Sequence, residues 1–352
     1  MKLSIIVKAR NEAADIAKCI ESALAAVQRV GGEVVLADGC STDATIEIAK
    51  AYPIRIVQLA VPSQACCGIG PELGFQHANG EFIYLLDGDM VVDPEFVESA
   101  IRLLEKDETL AGVGGYIREM RASNFEFKRR SQRLETLKAA GARETESLSG
   151  GGLYRRAALV DVGYMSDRNL HALEEYDLGT RLRKSGWRLI ALPERSADHY
   201  SYDLGTFELL RHRIRGGNFL SQGELLRAAW ESGYLGQALS ELRAFRFSFA
   251  VIAYWGAALL LAIILQRPLT ILAAAFVGTL VAGGLLSTIR RDVTSGFHSI
   301  LIWHLTAGGL ILGALRPRRN PRSAIEFRSI AEGQEHAAPS VPARLDAMAP
   351  QG

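Results

Sequence analysis

The sequence predicts an α/β domain with a mixed, mainly parallel sheet flanked by helices, followed by C-terminal transmembrane helices. Short apolar runs alternate with helical patterns in the first part of the chain, an order typical of parallel sheets. One apolar run ends directly in two carboxylates, in the stretch "FIYLLDGDM" at residues 82–90. Three later segments of nineteen residues each contain no Asp, Glu, Lys or Arg. Each of these segments could cross a hydrocarbon core about 30 Å thick.

The predicted strands and helices follow one another in regular order. "LSIIVKA" precedes a helical stripe over residues 16–27, for which Asn11 is a candidate cap. "EVVLADG" precedes a helix in "CSTDATIEIAKAY", and "IRIVQLA" and "EFIYLLDGD" supply two further strands. This order predicts right-handed crossovers between parallel strands. Ligands of such sheets bind beyond the carboxyl ends of the strands, where Asn11, Asp38, Asp87 and Asp89 would line one crevice.

Composition and motifs exclude several classes of protein. The chain has 352 residues and a formal net charge of +1, which gives no reason to expect nucleic acid as a partner. No GxGxxG follows the first strand, and no GxxxxGK precedes Ser or Thr, so neither a dinucleotide site nor a P-loop is predicted. Cys19, Cys40, Cys66 and Cys67 lack the spacing of metal ligands and are interpreted as reduced thiols.

The sequence predicts four parts. They are an α/β domain over residues 1–220, an amphipathic helix over 221–246, a membrane region over 247–315 with hydrophobic segments at 247–265, 269–287 and 297–315, and a flexible tail over 316–352 rich in Pro, Ala and polar residues. The apolar stripe and nearby arginines of residues 221–246 are typical of an interfacial helix. Packing of this helix on the α/β domain is an equally good interpretation.

Two features of the sequence disagree about which side of the membrane the two ends of the chain occupy. "MKLSIIVKAR" has no apolar signal-peptide core, so we expect a multi-pass protein of the cell membrane with its α/β domain in the cytoplasm. Three crossings would then leave Arg316, Arg318, Arg319 and Arg322 outside, against the tendency of basic residues to stay inside. Either the third segment fails to cross fully or the tail is an exception, and the side of the tail stays open.

Five stretches together resemble the family 2 glycosyltransferases of the GT-A (Rossmann-like) fold. They are "SIIVKARNEA", "ADGCSTDAT", "GEFIYLLDGDM", "SGGGLYRRAAL" and "LEEYDLGTRLRKSGWRL", and their order and spacing are those of the family. The resemblance implies transfer of a sugar, with inversion at the anomeric carbon, from a UDP- or GDP-linked donor. The apolar segments favour a membrane-associated lipid or glycan acceptor, as in glycan or glycolipid synthesis.

The resemblance also assigns a metal site. Asp87 and Asp89 correspond to the family's DxD motif, and a divalent cation there would stabilise the departing diphosphate. Mg²⁺ and Mn²⁺ prefer oxygen ligands and need only one or two carboxylates. Asp89 is the expected direct ligand, and Asp87 is expected to bind the ribose or a metal-bound water. His199, in "ADHYSY", falls where many relatives place a histidine near the metal.

Further residues are assigned to the donor by the same resemblance. Asp38 corresponds to the contact with the nucleobase or ribose, and Asn11 and Glu12 lie beside it after the first strand. Arg215, in "RHRIRGG", corresponds to an arginine that meets the diphosphate, although Gly216 replaces the Trp found in processive synthases. Pro71 and Glu72 replace the Arg-Asn pair common in relatives, so the donor contacts in this region are expected to be unusual.

The catalytic base is expected at the start of a helix in "LEEYDLGTRLRKSGW". The family pattern reads Glu-Asp there, and its second acid removes the proton from the acceptor hydroxyl. Glu175 occupies that position and is one methylene longer than Asp, which leaves Glu174 and Asp177 as alternatives. A helix amino terminus favours an ionised carboxylate.

Three alternative functions stay open. A polyprenyl-phosphate glycosyltransferase would use an acceptor that is already an anion and would need less help from a base. A non-catalytic membrane scaffold could keep the fold, although Asp38, Asp87, Asp89 and Glu175 together argue against it. A nucleotidyltransferase would usually carry a Gly-rich basic loop after the first strand, where this chain has "VKARNEA".

Overall fold

The computed structural model describes residues 1–121, 141–148, 150, 152–201 and 205–333. The strands are β1 Leu3–Ala9, β2 Gly32–Asp38, β3 Arg55–Leu59, β4 Phe82–Asp87, β5 Met90–Val92, β6 Leu110–Glu119, β7 Arg143–Glu144, β8 Gly152–Arg155, β9 Arg188–His199 and β10 Phe327–Glu332. The first seven helices are α1 Ile16–Val30, α2 Thr45–Ala49, α3 Ile69–His77, α4 Pro94–Lys106, α5 Arg156–Asp161, α6 Glu174–Lys184 and α7 Thr206–Arg215. The others are α8 Ser221–Glu231, α9 Leu235–Glu241, α10 Arg243–Ile264, α11 Pro268–Arg290 and α12 Val293–Leu315.

The strands form one mixed sheet in the order β10-β3-β2-β1-β4-β8-β6-β9-β5, with β7 paired to β9. Parallel pairing joins β1 to β2 and β4, β2 to β3, and β6 to β9. Helices cover both faces, with α1 and α4 in one buried cluster and α3 in the other. The predicted α/β class, with a mixed sheet and C-terminal apolar helices, is therefore confirmed.

The register of the parallel strands brings their carboxyl ends to one edge of the sheet. Ala9 of β1 pairs with Asp38 of β2, and Lys8 pairs with Asp87 of β4. On the other side of β4, Glu119 of β6 pairs with His199 of β9. The predicted crevice is therefore built from five strand ends.

Helix α1 begins later than the sequence indicates. It starts at Ile16 with Asp15 at the cap position, so the prediction of Asn11 as its cap is wrong. Asn11 lies instead in the left-handed region, at φ 62°, which asparagine tolerates better than most residues.

The segment predicted as one amphipathic helix, residues 221–246, contains two helices and the first turn of a third. The break is at Gly233, whose φ of 71° ends α8. Tyr234, Ala238 and Phe245 of the predicted stripe are buried in a cluster with Leu170 and Tyr176 of the α/β domain, which agrees with packing on that domain. Trp230 alone of these stripe residues is largely exposed, at 74%.

The prediction of a flexible tail is wrong for residues 316–333. Strand β10 pairs antiparallel with the edge strand β3, and Ile325 before it is 3% exposed. An unpaired strand edge offers free backbone donors and acceptors, and the short run "FRSIAE" satisfies them although it carries little apolar pattern. Residues 334–352 of the predicted tail lie outside the described residues.

Helices α10, α11 and α12 are 22, 23 and 23 residues long, with mean hydropathies of 2.2, 2.2 and 1.4. All three are long and apolar enough to cross a membrane. Most of their large apolar side chains are exposed, for example Leu269 at 86%. Residues Leu265 to Arg267 make a short turn between α10 and α11.

Candidate active site

The two carboxylates of the DGD stretch lie at the centre of the crevice. Strand β4 ends at Asp87, and β5 begins at Met90 after a tight turn. The turn requires glycine because a Cβ on Gly88 would lie 3.0 Å from atoms of both Ala9 and Glu12. Asp89 is 8% exposed, and its backbone carbonyl accepts a hydrogen bond from Tyr200.

Asp89 contacts His199, and His199 contacts a second acid. The Asp89 Oδ2 atom lies 3.1 Å from His199 Nε2, and His199 Nδ1 lies 2.8 Å from Glu119 Oε2. Burial alone would lower the pKa of His199, but hydrogen bonds to Asp89 and Glu119 outweigh burial and raise the pKa to about 10. The imidazole is therefore a cation at neutral pH in this arrangement.

The donor atoms of Asp89 and His199 are of the kind that a divalent cation binds. Among the described residues no cluster of three His, Cys, Asp or Glu side chains is gathered as a preformed metal site. Asp89 and His199 nevertheless face each other through the atoms that would bind a metal, and Glu119 holds the second imidazole nitrogen as an outer carboxylate does in many metal sites. A cation would replace the proton that now lies between Asp89 and His199, so its binding would release that proton.

A half-buried lysine, Lys8, joins the DGD turn to the start of helix α6. Lys8 Nζ lies 3.1 Å from Asp87 Oδ1 and 3.5 Å from Glu174 Oε1. Burial would lower the pKa of Lys8, but Asp87, Glu174 and Glu175 together raise it well above its ordinary value. Lys8 is thus positively charged and lies close to the carboxylates of Asp87, Glu174 and Glu175.

Glu174 and Glu175 open helix α6, as predicted. Leu173 precedes them in the left-handed region at φ 71°, which turns the chain sharply into the helix. Glu174 is buried on Lys8, and Glu175 is half-buried. Burial, followed by the neighbouring charge of Glu174, raises the pKa of Glu175 to about 7, although Lys8 opposes the shift. A carboxylate with a pKa near neutral is well suited to general-base catalysis.

Asp177, the third candidate base, is fully buried, and both of its carboxylate oxygens accept hydrogen bonds. Its Oδ2 atom accepts from Arg181 Nε at 2.9 Å and lies 2.8 Å from Arg181 Nη2, and its Oδ1 accepts from the Tyr234 hydroxyl. Tyr234 comes from the loop between α8 and α9, so this cluster fastens α6 to the segment that precedes the apolar helices. The geometry argues for a structural role of Asp177.

We expect Asp177→Asn to destabilise the protein by about 3–5 kcal/mol because Arg181 would keep a buried charge without its partner. The free energy of unfolding of the detergent-purified protein measures this loss. Tyr234→Phe is the matched control and should cost less, about 1.5–3 kcal/mol, since it removes one hydrogen bond to the Asp177 carboxylate and leaves the Arg181 pair in place. A variant at Asp177 that is stable but inactive would contradict the structural role and restore Asp177 as a candidate base.

The donor residues predicted after β1 and β2 lie in two loops that are tied together. Asn11 Oδ1 accepts from the Thr42 amide at 2.7 Å, and the Asn11 amide donates to the Ser41 hydroxyl at 2.9 Å. The Glu12 amide donates to Thr45 Oγ1 at 2.9 Å. Asn11 and Glu12 therefore shape this wall of the crevice through their backbones as well as their side chains.

Asp38 lies at the carboxyl end of β2 and is fully buried. Its Oδ2 atom accepts from the Ser41 amide and from Gln58 Nε2, both at 2.9 Å. A contact between Asp38 and a nucleobase would have to share or replace one of these bonds. Its role as a donor contact stays a prediction.

Arg215 is the last residue of α7 and is exposed. In the described part of the chain no hydrogen bond or ion pair joins it to Asp87 or Asp89. The role of Arg215 as a contact of the diphosphate stays a prediction.

Glu72, one of the two departures from the family pattern, makes its hydrogen bonds outside the DGD turn. It is 3% exposed, and its Oε2 atom accepts from the amides of Met165 at 2.9 Å and Ser166 at 3.1 Å. Burial raises the pKa of Glu72 to about 7, against the effect of these hydrogen bonds. Glu72 thus fastens α3 to the loop that leads into α6.

The chain is similar in sequence and in fold to known glycosyltransferases. Residues 4–163 match the model of "Glycosyl transferase family 2". "Putative glycosyltransferase EpsE" of Bacillus subtilis strain 168 is 29% identical over 205 residues, 55% of this chain and 70% of that protein. The dolichol-phosphate mannosyltransferase of Pyrococcus furiosus is 23% identical over 134 residues, which are 37% of this chain and 38% of that protein.

A solved structure with the same fold is mannosyltransferase PcManGT from Pyrobaculum calidifontis, in complex with GDP-Man and Mn²⁺. It aligns with a TM-score of 0.55 at 18% identity, over 88% of this chain and 87% of that one. The segment that matches the family model contains β1 to β4 with Asp38, Asp87 and Asp89. Residues 4–163 therefore resemble a family 2 glycosyltransferase domain, and the chain has the GT-A fold, as the sequence motifs indicated.

Proposed function

We propose that this glycosyltransferase moves a sugar, with inversion, from a nucleotide diphosphate donor to the hydroxyl of a membrane-associated acceptor. The observation that carries the proposal is the position of Glu175. It lies at the amino end of α6, close to Lys8, and its pKa of about 7 suits a base that works near neutral pH.

In the proposed reaction the acceptor oxygen attacks the anomeric carbon while its proton passes to Glu175. The bond between that carbon and the phosphate oxygen breaks, and the nucleoside diphosphate leaves with the electron pair and its negative charge. Lys8 holds Asp87 and Glu174 in place and keeps positive charge under the site. Attack opposite the leaving group gives inversion.

We propose Mg²⁺ or Mn²⁺ as cofactor, held by Asp89 and His199, with Asp87 as a further ligand or as the residue that binds the ribose. When bound, the cation would neutralise charge on the departing diphosphate. Glu119 orients His199, and release of the His199 proton would make cation binding weaker as the pH falls. The Mn²⁺ and GDP-Man bound to PcManGT support this proposal by analogy of fold.

The donor is proposed to be UDP- or GDP-linked, and Asn11, Glu12, Asp38 and Arg215 are its proposed further contacts. The acceptor is proposed to be a lipid or a membrane-held glycan because α10 to α12 keep the site near a bilayer. A polyprenyl phosphate is the second candidate acceptor, supported by the similarity to a dolichol-phosphate mannosyltransferase. Retention of the whole carboxylate set argues against a non-catalytic scaffold.

We place the catalytic domain on the cytoplasmic face of the cell membrane. Nucleotide sugars are expected there, and the arginines at the domain ends of the apolar helices favour that side.

The proposal is tested by incubating the purified full chain with a panel of UDP- and GDP-sugars, with and without Mn²⁺ or Mg²⁺. Release of nucleoside diphosphate from one donor, increased by a cation and by added membrane lipid, is the expected result. No release from any member of the panel, by protein that is folded by its thermal transition, would contradict it.

A further inference from the structure

Strand β10 fixes the side on which the chain reappears after its apolar helices. It pairs with β3 through five residues, from Phe327 with Leu59 to Glu332 with Arg55. Residues 327–332 and the α/β domain must therefore lie on the same side of any membrane. The helices α10 to α12 can then cross an even number of times, so three crossings are excluded.

Helix α12 begins on the side of the α/β domain. Helices α10 and α11 run antiparallel from a short turn, and the Tyr254 hydroxyl donates to the Ala275 carbonyl at 2.6 Å. Because the two helices have nearly equal lengths, the end of α11 returns to the level at which α10 began. The first turn of α12 stays beside this end, where the Ser287 hydroxyl donates to the Val293 carbonyl at 3.1 Å.

Helix α12 also ends on the α/β domain. A Cβ on Gly309 would lie 1.9 Å from the Phe219 carbonyl oxygen, and one on Gly313 would lie 2.1 Å from that of Leu220. Only glycines permit this close approach. Directly after the helix, Arg316 Nη1 lies 3.1 Å from His171 Nε2, three residues before Glu174.

The middle of α12 lies beside the part of α10 between Phe247 and Trp255, and His304 Nε2 accepts a hydrogen bond from the Trp255 indole at 3.0 Å. Trp303 stacks on Phe247 with ring centroids 4.6 Å apart, and the Thr306 hydroxyl lies 3.4 Å from that of Ser248. The Ser248 hydroxyl also donates to Gln222 of α8 at 2.7 Å. Phe247 and Ser248 belong to the first two turns of α10, close to the domain.

Towards both of its ends, α12 exposes large apolar side chains on one face. The exposed large side chains are Val293, Phe297, Leu301, Ile311, Leu312 and Leu315. At about 100° per residue they fall within an arc of about 100° on the helix. The buried residues Gly296, Ala307, Leu310 and Gly313 fall outside that arc and face the protein.

We propose that α12 lies in the plane of the membrane surface on the side of the α/β domain, with this apolar face against lipid acyl chains, and that α10 and α11 alone cross. The lower hydropathy of α12, 1.4 against 2.2, agrees with a partly immersed helix. The inference rests on the proposed membrane attachment and is independent of the proposed chemistry.

The distribution of arginine supports this topology independently. With two crossings, one side holds Arg243, Arg246, Arg290, Arg291, Arg316, Arg318, Arg319 and Arg322, and the turn between α10 and α11 on the other side holds Arg267 alone. Basic residues flanking membrane segments collect on the cytoplasmic side. The conflict between three crossings and the basic tail therefore disappears.

Single cysteines test the number of crossings. Gln266→Cys, Thr294→Cys and Arg328→Cys are placed one at a time in the full chain with its four native cysteines replaced, and intact bacterial cells are treated with an impermeant thiol reagent. Only position 266 should be labelled in intact cells, and all three after lysis. Labelling at 328 together with 266 would overturn the inference. Recovery of the protein in the soluble fraction would instead refute membrane attachment itself.

Depth measurements test the in-plane position of α12. Spin labels at Phe297, Leu301 and Leu312 in proteoliposomes should report similar shallow depths, with Leu260 and Phe276 of the hairpin as deeper controls. A crossing helix would separate positions 297 and 312 by about 22 Å along the membrane normal, and a separation of that size would overturn the inference.

Phosphatase and fluorescent-protein fusions to the carboxyl end of the unsubstituted chain give a further measurement of the topology that needs no cysteine replacement. The phosphatase fusion should be inactive and the fluorescent fusion bright, and the reverse would refute the topology.

Discussion

Replacing Glu175 by Gln is expected to lower turnover by about 10²–10⁴-fold while nucleotide-sugar and cation binding stay near normal. Glutamine keeps the shape of the side chain but cannot accept the proton of the acceptor hydroxyl. Turnover under saturating substrates and donor affinity by calorimetry, measured on the same preparation, separate the two effects.

Glu174→Gln is the matched control for this substitution. Glu174 is paired with Lys8, so its replacement should reduce turnover far less. If both variants keep turnover within a few-fold of the wild type, a hydroxyl acceptor is refuted and a phosphate acceptor becomes the better hypothesis. Loss of donor binding in the Glu175 variant would show that this helix start belongs to the donor site.

Asp89→Asn is expected to abolish both cation-dependent donor binding and turnover. An amide is a weaker ligand than a carboxylate for a hard cation, and the Asp89 carboxylate faces His199 Nε2 at 3.1 Å. Donor affinity with and without Mn²⁺, together with nucleotide release, measures the effect. The variant should behave like the wild-type protein after treatment with a chelator.

Asp161→Asn is a suitable control because Asp161 is exposed and accepts a hydrogen bond from Trp187 at the end of α5. It should keep full activity and full cation dependence. Full turnover of chelator-treated wild-type protein would refute the assignment of a metal to Asp89 and His199.

The fold could be predicted because its parallel core repeats a simple pattern. β1, β2 and β4 are apolar runs that end in polar residues, and the helix between β1 and β2 carries a clear stripe. The pairing of β10 with β3 was missed since a short edge strand needs only backbone hydrogen bonds and carries little apolar periodicity. The break at Gly233 was missed because the apolar stripe continues through it.

The site was predicted where carboxylates end strands or open a helix, and was missed where the partner lies elsewhere in the sequence. Lys8 was visible as the one charged residue inside "LSIIVKA", and that signal could have identified it. Glu119 meets His199 only through the register of β6 and β9, which no local pattern encodes. Conversely, the buried pairing of Asp177 with Arg181 and Tyr234 removes a candidate base that sequence alone kept open.

Glu175 is assigned as a base with a pKa of about 7, so the pH dependence of kcat at saturating donor, acceptor and cation tests its role most directly. Below about pH 7 the wild-type kcat should fall about tenfold per pH unit as Glu175 becomes protonated, and above that pH it should level off. In Glu174→Gln the fall should move to lower pH, because a charge that raises the pKa of Glu175 has been removed. The same acidic fall in Glu175→Gln, or a flat wild-type profile across this range, would contradict the assignment.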